Sequence, residues 1–308
     1  MTPKKTNHTR LPRSPLLSST VCLLAAFSSY SLNAVDLIDS NTTSESWNTG
    51  ADWSDGQPAS AGKDYDTNGY LLRSPNTPTW NSTFPGDSLT IRDAGGRTGG
   101  ALLIKSGTLV TENIFMGLGG VAAANANNGS NVQSTWNITN FTVLSESTSS
   151  PGDFAYLKGA YTGNHLTTNI SNLLGSGHLS IGYDGPSSIN YGLSVTDASG
   201  FSGSLNLNKG NLTLAANLTI TSSAFSMASS DSTMILDNDL TVASFEFGAS
   251  SVSSGTYSSS DLNTLLSTSS FSGAGSLTVV PEPSTGALLF GGACMLLSII
   301  ARRNIRYS

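Results

Sequence analysis

Cysteine is nearly absent: the 308-residue chain has two, Cys22 and Cys294, one towards each end. Residues 35–280 contain none, so no disulfide can staple that body, and thiolate metal sites and cysteine nucleophiles are excluded from it. Histidine is almost as scarce, with only His165 and His178 in the body. Positive charge is thin too: the body holds seven of the 14 Lys and Arg, against 19 of the 20 acidic residues. Such an acidic body lacks the basic face that nucleic acid or an anionic membrane surface requires. Helical periodicity is missing except at Asp261–Leu266, where a turn or two can form. Long apolar runs occur only at the ends of the chain.

At the first end, Lys4, Lys5, Arg10 and Arg13 precede an apolar stretch, Leu16 to Phe27. Leu32-Asn33-Ala34 then offers a small residue before Val35, the layout of a secretory signal peptide over residues 1–34. Cys22 does not suit lipoprotein acylation, because Val21 stands where a small residue is needed. At the other end, Thr285 to Ala301 is an uncharged run of 17 residues, the short edge of what spans a bilayer as a helix. Arg302, Arg303 and Arg306 follow, which under the positive-inside bias puts everything before Pro281 on the outer side. Pro281-Glu282-Pro283, the apolar helix 285–301 and the basic cluster come in the order of the PEP-CTERM protein-sorting signal, which residues 281–306 resemble. The resemblance implies a Gram-negative source, export by the secretion machinery and recognition of this motif by an exosortase-type membrane processing enzyme. It also implies an inner-membrane-anchored precursor, a final place at the cell surface or in the extracellular matrix, and association with exopolysaccharide. Pro281, Glu282, Pro283, Arg302 and Arg303 are the expected sorting residues.

The body repeats a triplet, with an apolar residue on either side of Thr, Ser or Asn. Examples are Leu89-Thr90-Ile91, Leu179-Ser180-Ile181, Leu193-Ser194-Val195 and Leu205-Asn206-Leu207. Leu212-Thr213-Leu214, Leu218-Thr219-Ile220, Leu240-Thr241-Val242 and Leu277-Thr278-Val279 continue the series. Period-two alternation of this kind, bounded by Gly, Asn, Ser and Asp, predicts half-buried strands in an all-β body. Leu205, Leu212 and Leu218 leave room for only short turns, as in the small coils of a β-solenoid. Phe201-Ser202-Gly203-Ser204-Leu205 is echoed by Phe271-Ser272-Gly273-Ala274-Gly275-Ser276-Leu277. With Lys209-Gly210-Asn211-Leu212, these segments resemble autotransporter-associated β-strand repeats, which implies a right-handed parallel β-helix over residues 87–280. A jelly-roll β-sandwich is the alternative. Residues 35–86, richer in Trp, Tyr and Pro, form the expected N-terminal cap, since an open sheet end invites pairing with other chains.

Several motifs have a chemical and a structural reading. Gly86-Asp87-Ser88-Leu89 matches the nucleophile block of an esterase class, but neither His165 nor His178 has an Asp three residues before it. Asp64-Tyr65-Asp66 and Asp237-Asn238-Asp239 pair carboxylates without a calcium-loop pattern, and turn residues are the simpler reading. Arg92, Asp93, Arg97 and Lys105 gather the densest charge, the first place to look for a lyase base beside carboxylates. Trp47, Trp53 and Trp80 are candidates for stacking on sugar rings, or else the cap's own core. No cofactor, metal or nucleic-acid partner is implied. The expectation is a non-enzymatic surface or matrix protein with a structural or adhesive role. A carbohydrate-binding module and a polysaccharide lyase or glycosidase are the alternatives.

Overall fold

The structure, a computed structural model, describes residues 34–42, 44–76, 81–105, 107–124, 133–150, 153–159, 164–182, 189–229 and 231–280. Residues 1–33 of the expected signal peptide, the whole expected sorting signal and Trp80 lie outside the described residues. Among the described residues no helix is long and apolar enough to cross a membrane.

All eight triplets lie inside strands, and every aliphatic residue flanking them is buried. The strands form two sheets. The first runs Val35–Asp36, Asp64–Asp66, Ser88–Ile91, Gly107–Met116, Gln133–Val143, His165–Gly175, Asn190–Phe201, Gly210–Leu214, Ser232–Ile235 and Phe271–Ser272. The second runs Leu71–Arg73, Ala101–Ile104, Val121–Ala124, Ala155–Gly159, His178–Ile181, Ser204–Leu207, Leu218–Met227, Leu240–Phe247, Ser276–Val279 and Gly255–Ser258. From Ser88 to Phe247 consecutive strands alternate between the two sheets, and each pairs in parallel with the strand before it in its own sheet. Antiparallel strand pairs among the described residues occur only where Ser250–Val252 meets Leu240–Phe247 and where Gly255–Ser258 meets Ser276–Val279. A jelly roll is built from antiparallel strands, so that alternative does not describe this body.

The echo between residues 201 and 271 marks one recurring corner. Phe201 and Phe271 are buried in first-sheet strands, and the glycine-containing links lead to second-sheet strands Ser204–Leu207 and Ser276–Val279. A Cβ on Gly203 would lie 1.9 Å from the carbonyl oxygen of Gly177 one level below, so only glycine lets these corners stack.

The long first-sheet strands bend. In Gln133–Val143, Trp136 and Ile138 point in, Thr139 and Asn140 both point out, and Phe141 points in again. Glu112-Asn113 and Ser171-Asn172 repeat this break on the flanking strands.

The expected cap boundary at residue 86 does not separate two bodies, because Asp64–Asp66 and Leu71–Arg73 already belong to the sheets. At this end Trp47, Trp53, Tyr65 and Phe84 pack edge to face, with ring centroids 4.7 to 5.5 Å apart. The other end is covered by helix Ser259–Leu265, started by a capping box between Ser258 and Asp261, with Leu262 buried beneath it.

Candidate functional site

The predicted site residues scatter. Trp47 and Trp53 are only 2% and 1% exposed, and the Trp53 Nε1–H donates to the Trp47 carbonyl at 3.0 Å. Rings that serve as core present no face to a sugar, which corrects the stacking role considered for these two. Ser88 of the esterase-like block is mostly buried and donates its hydroxyl proton to Asp64 Oδ1 at 2.6 Å, an ion-to-hydroxyl link between adjacent strands. Asp239 accepts from both the amide and the hydroxyl of Ser276, and Asn238 donates to the Leu214 carbonyl, so that acidic pair is turn structure. No group of three or more metal-ligating side chains occurs among the described residues.

The charged segment from Arg92 to Lys105 does not converge either. Arg92 gives Nε and Nη2 to Asp66 Oδ2 at 2.9 and 2.8 Å, with Glu146 3.7 Å away from Nη1. A guanidinium held between carboxylates is stabilised in its charged form and is poorly suited to act as a base. Burial and the charge of Asp66 push the neighbouring Asp36 carboxyl above its usual range, with Arg92 opposing. Asp93 accepts the amides of Gly99 and Gly100, and Arg97 lies 4.5 Å over the Tyr70 ring. Lys105 is buried elsewhere, beside Arg73.

What the fold does assemble is an amide and hydroxyl surface on the outward side of the first sheet. Parallel in-register pairing stacks like residues at about 4.8 Å, the reach of one side-chain amide to the next. Asn169 donates to Asn137 at 2.8 Å. In a second row Asn172 donates to Asn140 at 2.8 Å, Asn140 to Asn113 at 2.7 Å, and Asn113 to the Asp87 carbonyl at 2.8 Å. Asn190, Asn211 and Thr233 make a third row further along. Each ladder bond uses one of an amide's two N–H donors, leaving further capacity for another partner.

Between the first two rows runs a groove of about 290 Å³, lined by Val110, Asn137, Thr139, Asn169, Ser171, Ser194 and Thr196. It meets a second of about 320 Å³ at Thr196, which continues past Asp197 to Asn217, Thr219 and Ser222. Each is near the floor of the range typical of small-molecule pockets, about 300–1,000 Å³, so neither encloses a compact ligand well. Together they offer a long, nearly uncharged track on which an extended polyhydroxylated chain can lie. Sequence reasoning missed this surface because it followed the buried aliphatics. The signal that finds it is Asn137-Ile138-Thr139-Asn140 recurring as Asn169-Ile170-Ser171-Asn172 one level on. No family model, curated protein or solved structure matches this chain.

Proposed function

We propose that this chain is an exported surface or matrix protein, wound as a right-handed parallel β-helix, that associates with polysaccharide and has a structural rather than a catalytic role. Alternation of parallel strands between two sheets supports the winding, and the strong general preference for right-handed parallel crossovers, about 98%, supports its hand. The likeness to autotransporter-associated repeats fits the same architecture. The amino-terminal signal and the PEP-CTERM-like tail supply the route: export, an anchored precursor, processing by an exosortase-type enzyme, then display.

The observation that carries the binding role is the groove flanked by asparagine ladders, whose spare amide donors and acceptors match sugar hydroxyls. This moves the carbohydrate-binding reading from Trp47 and Trp53 to the first sheet. A glycan array probed with the protein tests it: neutral polysaccharides should be retained, and Asn169→Ala should lose them while remaining folded. Retention unchanged in Asn169→Ala and Asn137→Ala would sink the groove as the site. Surface display is tested by cell fractionation after replacing Pro281, Glu282 and Pro283 with alanine, which should hold the protein in the inner membrane.

A further inference from the structure

The groove on the first sheet has a direction, and strand register sets it. Val110 stands opposite Asn137, Asn137 opposite Asn169, and Asn169 opposite Ser194, so these groove residues form one row across successive first-sheet strands. Ser171 lies between Ile170 and Asn172, which pair with Ile138 and Asn140, and so stands level with Thr139. Thr196 stands level with Ser171 in the same way, between Val195 and Asp197. Thr139, Ser171 and Thr196 form a second row, about 7 Å along the strands from the first. The groove between the rows therefore crosses the strands and follows the stacking axis, advancing about 4.8 Å with each coil. At Thr196 it passes into the second groove, towards Asn217 and Thr219.

That step is close to the length of one sugar in a straight, β-linked chain of the cellulose kind, whereas an α-linked chain of the amylose kind coils away from a straight row. The walls repeat with the same step. Asn137 Nδ2 donates to no described residue and Asn169 Oδ1 accepts from none, which leaves donors and an acceptor on adjacent coils. Thr139, Ser171 and Thr196 are exposed and offer one hydroxyl per coil. Val110, 40% exposed, puts an apolar surface at one end, suited to the C–H face of a sugar ring. Charge narrows the class further. Among the described residues lining the two grooves only Asp197 is charged, and the amide and then the hydroxyl of Ser199 hold its carboxyl below the usual range. An ionised carboxylate on an acidic body repels uronate and sulfate chains.

We propose that the ligand of this groove is a β-linked polysaccharide of neutral sugars, lying extended along the stacking axis with one sugar to each coil. The assignment rests on the polysaccharide-binding role proposed for the groove, and fixes the ligand's charge, linkage and direction. Each added sugar reaches the side chains of the next coil, so binding grows with chain length, as it would not at a site that grips a single sugar or a chain end.

The test is calorimetric titration of the full-length chain with β-linked cello-, manno- and chito-oligosaccharides from disaccharide to hexasaccharide, and with α-linked malto-oligosaccharides of the same lengths. In at least one β-linked series the hexasaccharide should bind about tenfold or more tighter than its disaccharide, as for a few added hydrogen bonds, and about tenfold tighter than maltohexaose. Ser171→Ile fills the middle of the groove at an exposed strand position that favours a β-branched residue. It should bring the hexasaccharide down to the disaccharide's affinity without lowering the unfolding midpoint. Equal binding of α- and β-linked hexasaccharides, no gain beyond the disaccharide, or unchanged binding in Ser171→Ile would overturn the axial assignment while leaving polysaccharide binding in place. Failure of every oligosaccharide to bind at millimolar concentration overturns it too. A glycan array that is silent as well takes the polysaccharide reading with it, whereas retention there of another linkage leaves that reading standing.

Discussion

The two sheets present the same chemistry inward and different chemistry outward. Inward, each is a stack of apolar side chains: Ile138, Ile170 and Val195 in one, Leu205, Phe225 and Phe245 in the other. Outward, the first sheet leaves its asparagine rows open along a groove. The second is partly covered. Phe154 lies against His178 with ring centroids 4.9 Å apart, Ser147 donates to the His178 carbonyl, and Ser180 is fully buried although it stands in the polar position of its triplet. Near its C-terminal end the second sheet instead shows a row of threonines, Thr219, Thr241, Thr278 and Thr256. Strand alternation thus sets which way a side chain points, while the links between strands decide whether an outward one meets water.

The largest expected effect breaks the part the sheets share. Trp136→Ala removes a fully buried ring whose Nε1–H donates to Thr111 Oγ1, and should cost about 3–5 kcal/mol in denaturant unfolding. A loss below 1 kcal/mol would mean the inward stack is not the main source of stability. Next is the ion pair joining first-sheet levels. Asp66→Asn keeps the shape but leaves the Arg92 fork without its carboxylate, and should cost about 1–3 kcal/mol, because Arg92 stays partly exposed.

The outward faces should then separate by readout. Asn169→Ala, on the open face, should lower stability by about 1 kcal/mol or less while removing glycan retention. His178, on the covered face, should reveal itself by pH. Burial holds its pKa below the ordinary value near 6.5, so the unfolded chain takes up protons that the folded one resists. The stability associated with His178 is therefore complete above about pH 6.5 and declines as pH falls towards the folded-state pKa. His178→Asn should flatten that decline in melts from pH 7 to 5; an unchanged slope would show that the covering segment does not protect the ring. The smallest effect belongs to the exposed threonine row. Thr256→Val, which removes a hydroxyl 3.0 Å from that of Thr278, should change stability by no more than about 0.5 kcal/mol.

Much of the fold was legible. The triplets located strands because a period of two is a local property of extended backbone, and the turn or two of helix expected at Asp261–Leu266 is found as Ser259–Leu265. The short spacing from Leu205 to Leu218 implied small coils, and the structure joins those strands by turns of two or three residues that cross between sheets. The tryptophans were harder. Composition cannot tell a ring that stacks on a ligand from one that stacks on Tyr65 or Phe84, since both need a large apolar surface. The charged segment misled for a related reason. Arg92 finds Asp66 twenty-six residues earlier in the chain, and Lys105 comes to lie by Arg73, whereas its sequence neighbours Asp93 and Arg97 turn to other tasks.

The sequence by itself determined the all-β body, the inward face of the triplet strands and the absence of a disulfide within residues 35–280, because side-chain alternation and cysteine placement need no partner to be read. Only the tertiary structure decided the in-register parallel pairing, and with it the asparagine ladders and the groove. Those depend on which residues fall one level apart, and that register is fixed by the stacking of distant strands over a common core.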